Sequence, residues 1–218
     1  MSSTVLGLDP AFFPVMGTWL RGFAKEPGRT FQRVWYPNIP SPANAARGVE
    51  ALDKALAATP GQKIVFGHSM GSQVAAKWLR ERAHTATVPP DEVLFILCGN
   101  PERKYGGALC VRSTPKYLGL TVQPSYGGPG IPDDTPYQVI DYARQYDWWA
   151  DAPTAANPGP AAVKNASQTI HCDYFRVGLT DPDVLSYTEG RRTYLLKPTA
   201  LDPAKRAAVE ASYDRPMK

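Results

Sequence analysis

The alternation of apolar and polar positions opens with a short apolar run, Thr4 to Leu8, which predicts a buried strand. Asp9-Pro10-Ala11-Phe12-Phe13-Pro14 breaks it into a loop. Phe31 to Tyr36 predicts a second strand, closed by Pro37 and the Pro40-Ser41-Pro42 turn. Over Ala43 to Ala58 the apolar positions Ala46, Val49, Leu52, Ala55 and Leu56 follow the spacing of an amphipathic helix, which Thr59-Pro60-Gly61 ends. The strand-like run Lys63 to Phe66 comes next, then a helix from Met70 to about Ala83 with Val74, Ala75, Trp78 and Leu79 on one face. Val93 to Cys98 is apolar throughout, as strands buried on both faces of a parallel sheet are.

The order strand, strand, helix, strand, helix, strand predicts an α/β fold, a mostly parallel central sheet with helices on both faces, in one domain spanning residues 1–218. From Gly99 to Pro136 the periodicity gives way to Gly, Pro and Tyr, and a stretch of that length predicts a structured cover near a site. Tyr137 to Arg144 returns as a strand and runs into Tyr146-Asp147-Trp148-Trp149-Ala150-Asp151-Ala152-Pro153. Ala161 to Thr169 predicts a short helix before His171, Thr193 to Leu196 a further strand, and Asp202 with Pro203 the start of a last helix.

Composition narrows the function classes. Hydrophobic content of 43% and charged content of 20% describe a soluble globular chain, and 18 Gly and 22 Pro describe long structured loops. The net charge of +4 is mild and its Lys and Arg are scattered, which excludes nucleic acid as the expected partner and supports at most a weak attraction to anionic envelope surfaces. Cys98, Cys110 and Cys172 cannot all pair within one chain; a Cys98–Cys110 bridge and a reduced chain are both compatible with the sequence. Met1 to Leu6 lacks the basic and apolar regions of a signal peptide, so export by that route is not expected, and no run reaches membrane-spanning length. No zinc-ligand spacing, phosphate-binding glycine loop or dinucleotide fingerprint occurs, so no metal or cofactor is expected.

The chemistry concentrates at Gly67-His68-Ser69-Met70-Gly71, where a strand enters and a helix leaves. A G-x-S-x-G turn in that setting is a nucleophile elbow: the serine takes strained backbone angles to display its hydroxyl, and only small residues fit two positions before and after it. A serine hydroxyl needs a base, and the base an orienting acid. Of three histidines, the turn directs His68 away from the serine, and His84 falls near the end of the following helix, which leaves His171 as the base, with a buried structural histidine as its alternative. The acid belongs in the loop after a strand between Ser69 and His171. Asp147 directly follows the strand and is favoured, while Asp151, four residues on, stays open. The oxyanion donors expected are the Met70 amide and an amide near Leu8 and Asp9. Phe12, Phe13, Trp35, Trp148 and Trp149 lie near that edge as candidate walls of an acyl pocket.

The segments Gly67–Gly71, Pro89–Val93, Gly99-Asn100-Pro101-Glu102-Arg103-Lys104-Tyr105-Gly106-Gly107, Tyr146–Pro153 and His171-Cys172-Asp173-Tyr174 resemble, in order, the blocks of the PE-PPE-domain serine esterases of mycobacteria, relatives of the cutinases. The Gly99–Gly107 block and the Asp147 loop also resemble the lysin B mycolylarabinogalactan esterases of mycobacteriophages. The resemblance implies an α/β-hydrolase fold and hydrolysis of lipid-like or mycolate-containing esters, with mycobacterial cell-envelope lipids as partners and Ser69, Asp147 and His171 as nucleophile, acid and base. Acyl transfer by the same residues, and a non-catalytic envelope-binding or phage structural module, are the alternatives. Met70 stands where family members often carry Gln, which keeps the backbone donor and changes the pocket lining. The N-terminal PE or PPE helical region is absent from the sequence, so envelope anchoring is not inherited and a phage-encoded or intracellular setting is compatible.

Overall fold

The structure, a computed structural model, describes residues 2–111, 116–117, 120–121, 130–152 and 167–199. Seven strands form its main sheet: β1 (Ser3–Leu8), β2 (Arg29–Arg33), β3 (Lys63–His68), β4 (Val93–Cys98), β5 (Gln138–Arg144), β6 (Leu185–Glu189) and β7 (Arg192–Lys197), in the order β2-β1-β3-β4-β5-β7-β6. All neighbours are parallel except the β6–β7 hairpin at one edge. The parallel strands therefore end on a common edge, where α/β sheets gather their sites.

Period-2 alternation splits the core between the two faces. Leu6, Leu8, Val65, Phe95 and Leu97 face one way and pack under α1 (Pro42–Ala58) and α2 (Met70–Glu81). Val5, Phe66, Ile96, Cys98 and Tyr142 face the other way, beneath Trp19, Phe23, Tyr174 and Val177. Ser41 caps α1, its hydroxyl accepting from the Asn44 amide at 3.1 Å, and Pro42 fills the first helical position. Gly48 lets α1 approach α2 closely, since a Cβ there would lie 2.7 Å from Val74.

Three expectations change. The second strand is Arg29–Arg33, because its partner β1 stops before Asp9-Pro10; after a last bond from the Val34 amide to the Gly7 carbonyl the chain leaves the sheet, and Trp35 is exposed. On α1 the buried positions are Ala45, Gly48, Val49, Leu52 and Leu56, with Ala46 facing outward. The edge strand β6 has no counterpart in the sequence reading. Within 99–136 the described residues hold a helical turn at Ala108–Val111 and a small hairpin of Lys116–Tyr117 and Leu120–Thr121. Residues 161–166 of the expected short helix and the helix expected from Asp202 lie outside the described residues; Ser167–His171 is helical. Cys98, Cys110 and Cys172 are free. Among the described residues no helix is long and apolar enough to cross a membrane.

Candidate active site

β3 delivers the chain to Ser69, which holds φ 54° and ψ −116°, a conformation that L-residues rarely adopt, and α2 starts at the next residue. Steric contact explains the flanking glycines. A Cβ on Gly67 would lie 2.8 Å from the Gly71 backbone, and one on Gly71 would lie 2.0 Å from the Leu8 carbonyl oxygen. The turn is tied to the next strand by the Ser69 amide, which donates to the Cys98 carbonyl at 3.0 Å.

The strained turn presents the Ser69 hydroxyl 2.9 Å from His171 Nε2, at the end of the short helix Ser167–His171. His171 Nδ1 is 2.8 Å from Asp147 Oδ1. Both contacts are satisfied by the neutral tautomer with its hydrogen on Nδ1, donating to Asp147, while Nε2 accepts from Ser69. Asp147 follows β5 through Tyr146, itself at φ 67°, and is fully buried. Its Oδ1 also accepts from the Trp149 and Ala150 amides, at 2.8 and 3.2 Å, and its Oδ2 accepts from the Tyr174 hydroxyl at 2.6 Å. Burial pushes the Asp147 carboxyl upward; the His171 charge and these donors outweigh it and hold the group below its ordinary value. Asp151 holds the loop instead. Its Oδ2 accepts from the Tyr146 amide at 2.8 Å and so builds the loop that carries Asp147.

His68 points away from Ser69, as the turn requires, yet lies against the site. Its Nε2–H donates to the His171 carbonyl at 2.9 Å, its ring lies 4.8 Å from the His171 ring at a tilt of 33°, and among the described residues its Nδ1 has no partner. Burial first, then the neighbouring His171, holds it well below the ordinary histidine value, so it stays neutral. His84 is exposed, 3.4 Å from Asp134 and remote from these groups.

Met70 opens α2 with its amide beside the serine. Asp9 is buried at the end of β1, but its carboxylate is turned to the Met16 amide at 3.0 Å and the Arg33 guanidinium at 2.6 Å. In the loop after it, Pro10 has no amide hydrogen and the Phe12 amide donates to the Asn38 carbonyl at 3.1 Å.

A cavity of about 370 Å³ opens over Ser69 and His171, walled mainly by Phe12, Phe13, Val15, Trp19, Met70 and Trp149. No Asp, Glu, Lys or Arg lines it among the described residues. Of the expected aromatic walls, Phe12, Phe13 and Trp149 are in place, Trp148 is not on the wall, and Trp35 stands outside on the adjoining loop. Trp19, which the sequence reading did not select, packs edge-on to His68 at 5.2 Å.

The Gly99–Gly107 block proves to be a brace behind the cavity. Asn100 Nδ2 donates to Asp141 Oδ2 at 3.0 Å, and the fully buried Arg103 donates to the Asp141 carbonyl and to its carboxylate at 3.3 Å. A Cβ on Gly107 would lie 2.4 Å from the Arg103 carbonyl oxygen. Burial raises the Asp141 carboxyl despite the Arg103 charge beside it.

The chain is 28% identical over 217 residues to Esterase PE16 of Mycobacterium tuberculosis (strain ATCC 25618 / H37Rv), a match covering 82% of this chain and 39% of PE16. The chain thus spans about two-fifths of that curated relative. Among solved structures, a cutinase-like protein from Cryptococcus sp. shares 20% identity and a TM-score of 0.50 over 80% of this chain and 87% of that one, which supports the fold. Lysin B from Mycobacteriophage D29 shares 18% identity over 48% of each chain at a TM-score of 0.39 and adds nothing to the assignment. The PE-PPE domain family matches residues 27–184, most of the chain, and the chain belongs to that family, on an α/β-hydrolase fold.

Proposed function

We propose that this chain is a serine esterase acting on carboxylic esters with apolar, lipid-like acyl groups. The observation that carries the reading is the line Ser69–His171–Asp147, with steps of 2.9 and 2.8 Å, opening into a cavity without charged walls. His171 Nε2 takes the Ser69 proton as Oγ attacks the ester carbonyl carbon, and Asp147 stabilises the imidazolium that forms. The tetrahedral oxyanion is stabilised by the Met70 amide and by an amide of the turn at Asp9 to Ala11. Collapse expels the alcohol, which receives the proton from His171 and leaves an acyl-Ser69 ester. Water, deprotonated by His171, then attacks that ester, and the acid leaves with Ser69 restored. The name of Esterase PE16 supports ester hydrolysis, and its mycobacterial source makes envelope lipids the substrates to test first.

The test is a hydrolysis profile over p-nitrophenyl esters from short to long acyl chains. Hydrolysis is expected with every chain the cavity admits, and Ser69→Ala is expected to lose about 10⁴-fold or more. Unchanged hydrolysis in Ser69→Ala would refute the mechanism.

A further inference from the structure

Around the mouth of the cavity, large apolar side chains among the described residues stand exposed. The exposed large hydrophobics among the described residues are Phe12, Phe13, Trp35, Ile39 and Phe175, from 41% to 74% exposed. All five belong to three segments at the site. Phe12 and Phe13 line the cavity; Ile39 precedes Pro40, which also lines it. Trp35 stands beside Pro14 and Asn38, and Phe175 lies 6.1 Å from the ring of Trp19 on the cavity wall. A contiguous apolar surface of this kind marks a contact with something apolar.

The rim is built rather than loose. The Phe12 amide donates to Asn38, the Asn38 side chain to the Pro10 carbonyl at 2.9 Å, and the Tyr36 hydroxyl to the Asp9 carbonyl. Phe12 holds φ 70°, a strained backbone angle for a residue other than glycine. The chemistry of the rim selects the occupant. Pro10 to Leu20 and Val34 to Ala46 contain no ionisable side chain except Tyr36, whose hydroxyl is already used, and the charges at the rim are two guanidiniums laid on its aromatic rings, Arg33 5.1 Å from Trp35 and Arg176 5.1 Å from Phe175. The rim amides of Asn38 and Asn44 and the Ser41 hydroxyl are bonded inward, to the Pro10 carbonyl, the Ile39 carbonyl and the Asn44 amide. A protein interface carries roughly one hydrogen bond per 100–200 Å², and this rim has its polar groups turned away from such a partner.

We propose that the rim docks on the surface of a lipid aggregate, inserting Phe12, Phe13, Trp35, Ile39 and Phe175 among the acyl chains so that the cavity opens directly into the lipid. This rests on the esterase reading and extends it from the ester to the physical state in which the ester is met. Binding through apolar insertion persists at high salt and on neutral headgroups, while Arg33 and Arg176 beside the rim aromatics add an attraction to anionic headgroups that salt weakens.

The test is co-sedimentation of the Ser69→Ala protein with phosphatidylcholine vesicles, with and without phosphatidylglycerol, at low and high salt. Binding to both vesicles that persists at high salt is expected. Trp35→Ser combined with Ile39→Ser, neither on the cavity wall, should weaken it about tenfold or more, and in the protein with Ser69 intact should leave hydrolysis of soluble p-nitrophenyl acetate unchanged. Absence of binding, binding only to anionic vesicles at low salt, or equal binding by the double variant would each overturn the proposal. Soluble-ester hydrolysis separates these outcomes from failure of the esterase reading, since Trp35 and Ile39 do not line the cavity.

Discussion

Tyr174 holds its hydroxyl between two groups of the site, donating to Asp147 Oδ2 at 2.6 Å and accepting from the Arg144 amide at 2.9 Å. Burial, followed by the Asp147 charge, raises its own ionisation well above the ordinary value, so it is a permanent donor. Tyr174→Phe strips Oδ2 of its donor in a dry setting, and thermal or urea unfolding should register a loss of about 1–3 kcal/mol. An unshifted unfolding curve would mean that water replaces the hydroxyl. The hydrogen-bonded line of Ser69, His171 and Asp147 was legible because each residue is fixed by position along the chain: a glycine-flanked turn, the end of a strand, the histidine left after elimination. Tyr174, His68 and Trp19 were not, because their roles depend on which side chains meet across the sheet edge, and no local pattern encodes that.

At the level of elements, the turn between β3 and α2 is the most constrained part of the chain. Gly71→Ala places a methyl group 2.0 Å from the Leu8 carbonyl oxygen, while Gly67→Ala meets the Gly71 backbone at 2.8 Å. Backbone cannot rotate away as a side chain can, so Gly71→Ala should cost more than about 4 kcal/mol and exceed Gly67→Ala, as read from urea midpoints. Equal midpoints for the two variants would contradict this ranking. The sequence pattern located β4 and the two long helices closely, because continuous apolar runs and 3.6-residue stripes are strong signals. It missed β6 because no residue of Leu185–Glu189 is fully buried, leaving no alternation to read. It overran β2 because a strand ends where its partner does, and β1 ends at a proline.

For the molecule as a whole, His68 links the site to global stability. Unfolded, it titrates near the usual value of about 6.5; folded, burial holds it well below. Above that usual value both states are neutral and stability is full. As pH falls below it, only the unfolded chain takes up the proton, so stability falls by up to about 1.4 kcal/mol per pH unit until the folded group titrates. Glu102 and Asp141, both raised by burial first, act in the opposite sense, losing stability as pH rises. The comparison of wild type with His68→Gln isolates the histidine: the variant should gain on wild type steadily as pH falls from 6.5 towards 5 in steps of roughly one unit, measured by urea unfolding. A constant difference would show that His68 is not the group responsible. The fold class followed from the order of elements, whereas the brace of Asn100, Arg103 and Asp141 was visible only as a block of familiar letters, since a buried arginine looks like a surface one until its carboxylate is located.

The contact of Gly71 with Leu8 has a last consequence. β1 braces the serine turn from behind, and the loop leaving β1 supplies the cavity wall from Pro10 to Phe13. Ser69 and this part of the wall are therefore joined through one strand. On the proposed esterase reading, the sizes of the wall side chains set selectivity among esters, so exchanging Phe12, Phe13 or Met70 should redraw the substrate range while the reacting atoms keep their places.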